Sequence, residues 1–108
     1  MAKAKRESDA ELVLDAHLTE LGCKFEQEFR FHPVRKWRAD YFVLNIQPPT
    51  LIEIEGAVWT QGKHTRGDGY SGDLEKYNTA AALGFRVFRF TTQQVLRGEA
   101  KEFLKKYL

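Results

Sequence analysis

The sequence predicts an α/β fold, a central four-stranded sheet flanked by helices, in the order helix, three strands, helix, strand, helix. Three observations carry this prediction. A capped helical stretch opens the chain after a short basic tail, three short β-rich segments bounded by turn residues follow, and a helix-then-strand unit precedes a helical C-terminus. At 108 residues with 43% hydrophobic and 13% aromatic content, the chain suits one domain with a real core rather than a disordered segment.

Residues 1–7 read as a disordered basic tail and 8–108 as a single domain. Ser8 is a good N-cap with Glu11 in the capping-box position, Ala10, Leu14, Leu18 and Leu21 share a helical face, and Gly22 stops the helix. Phe25, Phe29 and Phe31 alternate with charged residues as on a half-buried strand, Gln27 being the misfit on the apolar side, and Pro33 ends the segment. Trp37–Leu44 and Leu51–Glu55 form the next strands, on either side of a Gln47-Pro48-Pro49 turn. Gly56–Tyr70 reads as a polar, glycine-rich loop, and a loop this long inside a small domain is more often functional than idle. Ser71 or Asp73 caps a helix through Leu83, Phe85–Phe90 is a fourth strand, and Thr91–Leu108 is helical with a break near Gly98.

Composition narrows the functional classes. One cysteine, Cys23, permits no intrachain disulfide, and no apolar run approaches bilayer-spanning length. The basic start lacks the apolar stretch of a secretory signal, so a cytoplasmic location is expected. A net charge of +2 is compatible with nucleic-acid binding without arguing for it unaided. His17 and His32 show no metal-ligand spacing with Cys23, which argues against zinc.

The chemistry is concentrated in acids. Alternation along Leu51-Ile52-Glu53-Ile54-Glu55 places both glutamates on one sheet face and both isoleucines on the other. Asp40 lies in the otherwise apolar run Ala39-Asp40-Tyr41-Phe42-Val43, where an acid is costly unless it is paired or bound to metal. A hairpin across Pro48-Pro49 lets Asp40 approach Glu53 and Glu55. Convergent oxygen ligands of this kind suit Mg²⁺ or Mn²⁺, cations able to activate water and stabilise charge on a phosphodiester.

These residues give the chain a resemblance to the PD-(D/E)XK nuclease superfamily, closest to its very-short-patch-repair-like endonucleases and related small bacterial and phage domains. The carrying residues are Arg38-Ala39-Asp40-Tyr41, Ile52-Glu53-Ile54-Glu55-Gly56, His64, and Gly84 through Phe90. The resemblance implies a restriction-endonuclease-like core with a mixed sheet, and a Mg²⁺- or Mn²⁺-dependent endonuclease acting on DNA in repair, recombination or phage DNA processing. It implies that Asp40 and Glu53 bind metal with the backbone carbonyl of Ile54. Glu55 stands where many members carry lysine, and Ala39 where the family has proline. Glu11 matches a first-helix acid that often completes the metal site, and reads equally as a capping-box residue.

The same resemblance places a histidine at His64, implying a general acid or base role or a phosphate contact. Lys76, on the following helix, is the candidate to replace the absent strand lysine, with an ordinary exposed lysine the equal alternative. Lys63 and Arg66 are natural phosphate partners, and Arg35, Lys36 and Arg38 with Trp37 form a basic-aromatic patch suited to phosphates and bases. Arg86 and Arg89 should face opposite sides of their strand. The leading expectation is a DNA endonuclease, monomeric or as a homodimer. The alternative is a catalytically inactive nuclease-fold module that binds nucleic acid, and a protein-interaction domain ranks third.

Overall fold

The computed structural model describes residues 8–56 and 67–108, with side chains in the second helix described from Gly72 onward. Helix α1 (Asp9–Glu20) leads into strands β1 (Phe25–Arg30), β2 (Arg38–Val43) and β3 (Thr50–Glu55). Helix α2 (Gly67–Ala82) and strand β4 (Arg86–Thr91) follow, and helices α3 (Thr92–Leu96) and α4 (Glu99–Tyr107) close the chain. The sheet order is β1-β2-β3-β4; the first two pairings are antiparallel, while β3 and β4 run parallel. The fold is thus the predicted α/β class with a central mixed four-stranded sheet and the predicted element order. Gly98, with a left-handed φ of 82°, divides the C-terminal helical stretch where expected.

Local chemistry explains the framework. Ser8 and Glu11 form a reciprocal capping box, Glu11 N–H donating to Ser8 Oγ at 3.1 Å and Ser8 N–H to Glu11 Oε1 at 2.8 Å. Thr91 and Gln94 repeat the device at the start of α3. One sheet face packs Tyr41, Val43, Ile52 and Phe90 against Leu14, Leu18, Val95 and Leu104 of α1, α3 and α4. The opposite face gathers Phe29, Phe42, Leu51, Phe85 and Val87 with Ala80 of α2. Burial on both faces takes the centre of the sheet out of water, the dominant favourable term in folding, while β1 keeps most of its polar side chains exposed. Among the described residues no helix is long and apolar enough to cross a membrane.

Two expectations need correction. Phe25, Phe29 and Phe31 do not share one face. Phe25 packs on Tyr41 at 5.6 Å between ring centroids, whereas Phe29 stacks on Phe42 at 4.3 Å on the α2 side. Between them Glu28 adopts φ 54°, a left-handed conformation that exchanges the faces of the residues around it. Gln27 is no misfit: it lies on the α1 side and its amide donates to Asp15 Oδ1 at 2.8 Å. Second, α2 begins at Gly67 rather than at Ser71 or Asp73, taking four residues from the expected loop. Glycine is a poor helix former, but intrinsic propensity is a weak prior that tertiary context routinely overrides.

Candidate active site

β2 and β3 together set the centre of the site. Their antiparallel register pairs Tyr41 with Ile52, and one further step places Asp40 opposite Glu53. Leu51 packs toward α2 whereas Ile52 and Ile54 pack toward α1, α3 and α4. Alternation therefore puts Glu53 and Glu55 on the α2 face, as the sequence predicted. Asp40 is fixed by Ile54, whose N–H donates to Asp40 Oδ2 at 2.7 Å. This bond spans the two strands and locks the carboxylate beside β3.

Glu53 is 8% exposed, one of two buried polar residues in the described structure. The ammonium of Lys76, on α2, lies 3.2 Å from its Oε2. Burial pushes the Glu53 carboxyl up to about 7, with Asp40 and Glu55 adding to the rise and Lys76 opposing it. The Asp40 carboxyl is raised too, first by burial and then by Glu28 and Glu11, against the Ile54 N–H and Lys76. Two carboxyls of raised proton affinity thus stand near one ammonium, and the charge of Asp40 contributes to the rise at Glu53.

Glu55 is placed differently. Its Oε2 accepts from Arg89 Nε at 2.8 Å, and the Arg89 guanidinium lies 4.2 Å above the Tyr77 ring. The parallel register puts Arg89 directly beside Glu53, so the arginine sits on the acidic face and reaches Glu55 along it. The bond to Glu55 raises the Arg89 pKa. Burial raises the Tyr77 phenol, helped by Glu53 and Glu55. Arg86 faces the other side, donating to Thr50 Oγ1 at 3.1 Å and to the Tyr107 carbonyl at 3.2 Å. The two arginines of β4 therefore do face opposite sides.

The structure thus brings Asp40, Glu53 and Lys76 together and gives Glu55 an arginine partner. Glu11 is committed to its capping box, yet its charge still reaches Asp40. Arg35 stacks on Trp37 at 3.9 Å and pairs with Glu75 of α2 at 3.1 Å; Lys36 and Arg38 are exposed. His64, Lys63 and Arg66 lie outside the described residues. Sequence reading missed Glu28, Tyr77 and the Arg89–Glu55 pair. Gln27, the odd residue of an apolar alternation, was the available signal; the Arg89–Glu55 pair depends on the β3–β4 pairing, which no local pattern gives.

Among the described residues, no group of three or more His, Cys, Asp or Glu is arranged to hold a metal ion. A cage of three carboxylates is therefore not the arrangement here. The pair Asp40 and Glu53 does fit Mg²⁺, which typically takes one or two carboxylates and keeps several waters. The raised proton affinity of both acids is the strain that such a cation relieves.

No family model and no curated protein matches the chain. Among solved structures, the catalytic domain of the homing endonuclease I-Bth0305I is similar with a TM-score of 0.66. The likeness covers 93% of this chain and 93% of that one at 17% sequence identity. At that identity the similarity shows a shared fold.

Proposed function

We propose that the chain is a divalent-metal-dependent endonuclease that hydrolyses phosphodiester bonds in DNA, of the PD-(D/E)XK type. The observation that carries the reading is the Asp40–Glu53 pair on adjacent strands, with Glu53 buried and facing Lys76 of α2. Its support from fold is that a homing endonuclease catalytic domain has the same architecture. Asp40 and Glu53 would hold Mg²⁺ or Mn²⁺, with the Ile54 carbonyl as a further oxygen donor, while Glu11 stays in its capping box and acts on Asp40 through its charge. When bound, the metal supplies Lewis-acid stabilisation of the phosphate and a more acidic water.

The remaining steps belong to the chain's own side chains. The Ile54 N–H orients Asp40 by holding one of its oxygens. Lys76 sets a positive charge beside Glu53, where it stabilises negative charge growing on a phosphoryl oxygen and takes the part of a strand lysine. Glu55, tethered by Arg89, borders the same face. His64 would carry a proton to or from the reacting oxygens, and Lys63, Arg66, Arg35, Lys36 and Arg38 would hold phosphates. One chain carries one acidic centre, so paired cuts would require a homodimer.

The test is cleavage of linear, nicked, mismatched and branched DNAs with Mg²⁺ or Mn²⁺. Asp40→Ala and Glu53→Ala should abolish it, and Lys76→Met should lower the rate by about 10²–10³-fold, the usual cost of removing one stabilising donor. Metal-independent cleavage, or full activity in both acid variants, overturns the mechanism. The Arg89–Glu55 ion pair favours a second reading, an inactive module that binds nucleic acid, because it neutralises the position where a lysine is commoner. Calorimetric titration with Mn²⁺ separates the two. Asp40-dependent heat supports the enzyme, and its absence supports the module.

A further inference from the structure

Among the described residues, Glu28 is the one non-glycine residue with a left-handed φ, at 54°. A side chain there crowds the backbone, so the conformation persists only where the surrounding structure imposes it. No chain reversal calls for it, because Glu28 lies inside β1. Pairing with β2 continues on both sides of it, at Gln27↔Tyr41 and Phe29↔Ala39, and by that register Glu28 stands opposite Asp40.

β2 changes face on the same line. Tyr41 belongs to the core on the α1 side with Leu14 and Leu18, whereas Ala39 belongs to the α2 side with Leu51 and Ala80. Alternation puts residues two apart on one face, so the faces invert at Asp40 in β2 as they do at Glu28 in β1. The inversion also marks where β2 leaves β3, since their pairing ends at Tyr41↔Ile52. Two residues on, the same ladder would aim the Ile54 N–H at the Ala39 carbonyl. Asp40 Oδ2 accepts that hydrogen instead, at 2.7 Å. β1 stays paired to β2 beyond this break, through Phe29↔Ala39 and Arg30↔Arg38. It therefore has to make the same inversion, and Glu28 is the residue that makes it.

We propose that Glu28 is a positioning residue for Asp40, acting through its left-handed backbone rather than its carboxylate. It carries β1 through the inversion that turns the Asp40 carboxylate out of the face alternation and onto the Ile54 N–H. The proposal rests on the nuclease reading only for the use of Asp40 as a metal ligand. It goes beyond that reading by making the metal site depend on a residue of β1 that supplies no atom to it.

Substitutions at this one position separate backbone from charge. Glycine and asparagine accept a left-handed φ, glutamine keeps the side chain's length without its charge, and β-branched valine resists the conformation. The first readout is the Ile54 amide in the isotope-labelled full chain. Its short bond to a carboxylate moves the proton downfield and slows its exchange, and loss of the signal in Asp40→Ala assigns it. Calorimetric Mn²⁺ affinity and DNA cleavage with Mg²⁺ are measured on the same proteins. Glu28→Gly, Glu28→Asn and Glu28→Gln should keep the Ile54 signal and bind Mn²⁺ as wild type does. Glu28→Val should lose the signal and bind Mn²⁺ about 10–100-fold more weakly, the usual cost of disturbing what orients a metal ligand. Circular dichroism checks folding, and Glu28→Thr takes the place of a Glu28→Val that does not fold. Loss of the signal in Glu28→Gly and Glu28→Asn, or its survival in folded Glu28→Val, overturns the proposal. So does an Mn²⁺ affinity that falls equally in Glu28→Gln, Glu28→Asn and Glu28→Gly and no further in Glu28→Val, which would assign the effect to charge. DNA cut at the wild-type rate by folded Glu28→Val overturns the positioning role and leaves the nuclease reading standing. A signal that follows the backbone series, in a protein that neither binds Mn²⁺ nor cuts DNA, supports the positioning role and overturns the nuclease reading.

Discussion

Replacing Glu53 by glutamine should stabilise the protein, and only above mildly acidic pH. The Glu53 carboxyl is pushed from 4.5 up to about 7, chiefly by burial. Between those values the folded chain keeps a proton that the unfolded chain has released, so stability falls as pH rises through the window, and the full penalty is present above it. At about 1.36 kcal/mol per unit, that shift corresponds to about 3 kcal/mol. Below pH 4.5 both states are protonated and the penalty vanishes. The amide introduced by Glu53→Gln cannot ionise, and its oxygen can still accept from Lys76 as the protonated acid does. The net gain at pH 8 is about 3 kcal/mol, or roughly 12 °C in Tm for a domain of this size. Thermal melts of both proteins from about pH 4.5 to 8 test this directly. The two curves should meet at the acid end and separate toward neutral pH. A gap that does not change with pH, or a variant less stable than wild type in mild alkali, refutes the assignment of Glu53 as a destabilised carboxylate. Added Mg²⁺ should raise the wild-type Tm by mass action and leave the variant unmoved.

Other perturbations probe the frame of the site. Glu28→Gly should add about 1 kcal/mol, because a residue with a side chain is strained at φ 54° and glycine is not; a loss in urea-unfolding free energy would contradict that conformation. Gly72→Ala should add up to about 1 kcal/mol, since Gly72 lies within α2 and a Cβ there meets open space. A lower Tm would speak against helix at that position. Tyr41→Phe should cost about 1–2 kcal/mol. The Tyr41 hydroxyl shares its proton between Asp15 Oδ1 at 2.7 Å and the Glu11 carbonyl at 3.0 Å. Urea melts finding no loss would show that the bonded hydroxyl contributes nothing.

Much of the fold was legible because local signals agreed with tertiary packing. Ser8 and Glu11 announced α1, Gly98 the break between α3 and α4, and the alternation in β3 assigned faces correctly at four successive residues. β1 defeated the same logic through one residue. Period-two reasoning assumes extended backbone, and Glu28 in the left-handed region breaks the alternation without any glycine to signal it. The start of α2 was hidden for the converse reason. Gly67, Gly69 and Gly72 look like loop residues, and nothing local reveals that the helix runs through them.

The site shows where pattern stops and geometry begins. Alternation placed Glu53 and Glu55 on one face but could not say that they would have different partners. That depends on β4 running parallel to β3, which sets Arg89 beside Glu53 with Glu55 within its reach, and on α2 crossing the same face, which delivers Lys76 to Glu53. Both cations are distant from the acids in sequence, so no spacing rule could assign them. The consequence is a division of charge along one strand. The buried acid receives a compact ammonium on a flexible four-carbon stem, which on the proposed reading moves aside for a cation or follows a phosphate. The more exposed acid receives the rigid guanidinium fork, clamped over Tyr77. On the proposed metal-dependent reading, Glu53 needs a partner it can exchange, which makes it the exchanging member, while Glu55, tied to Arg89, would hold the wall of the site.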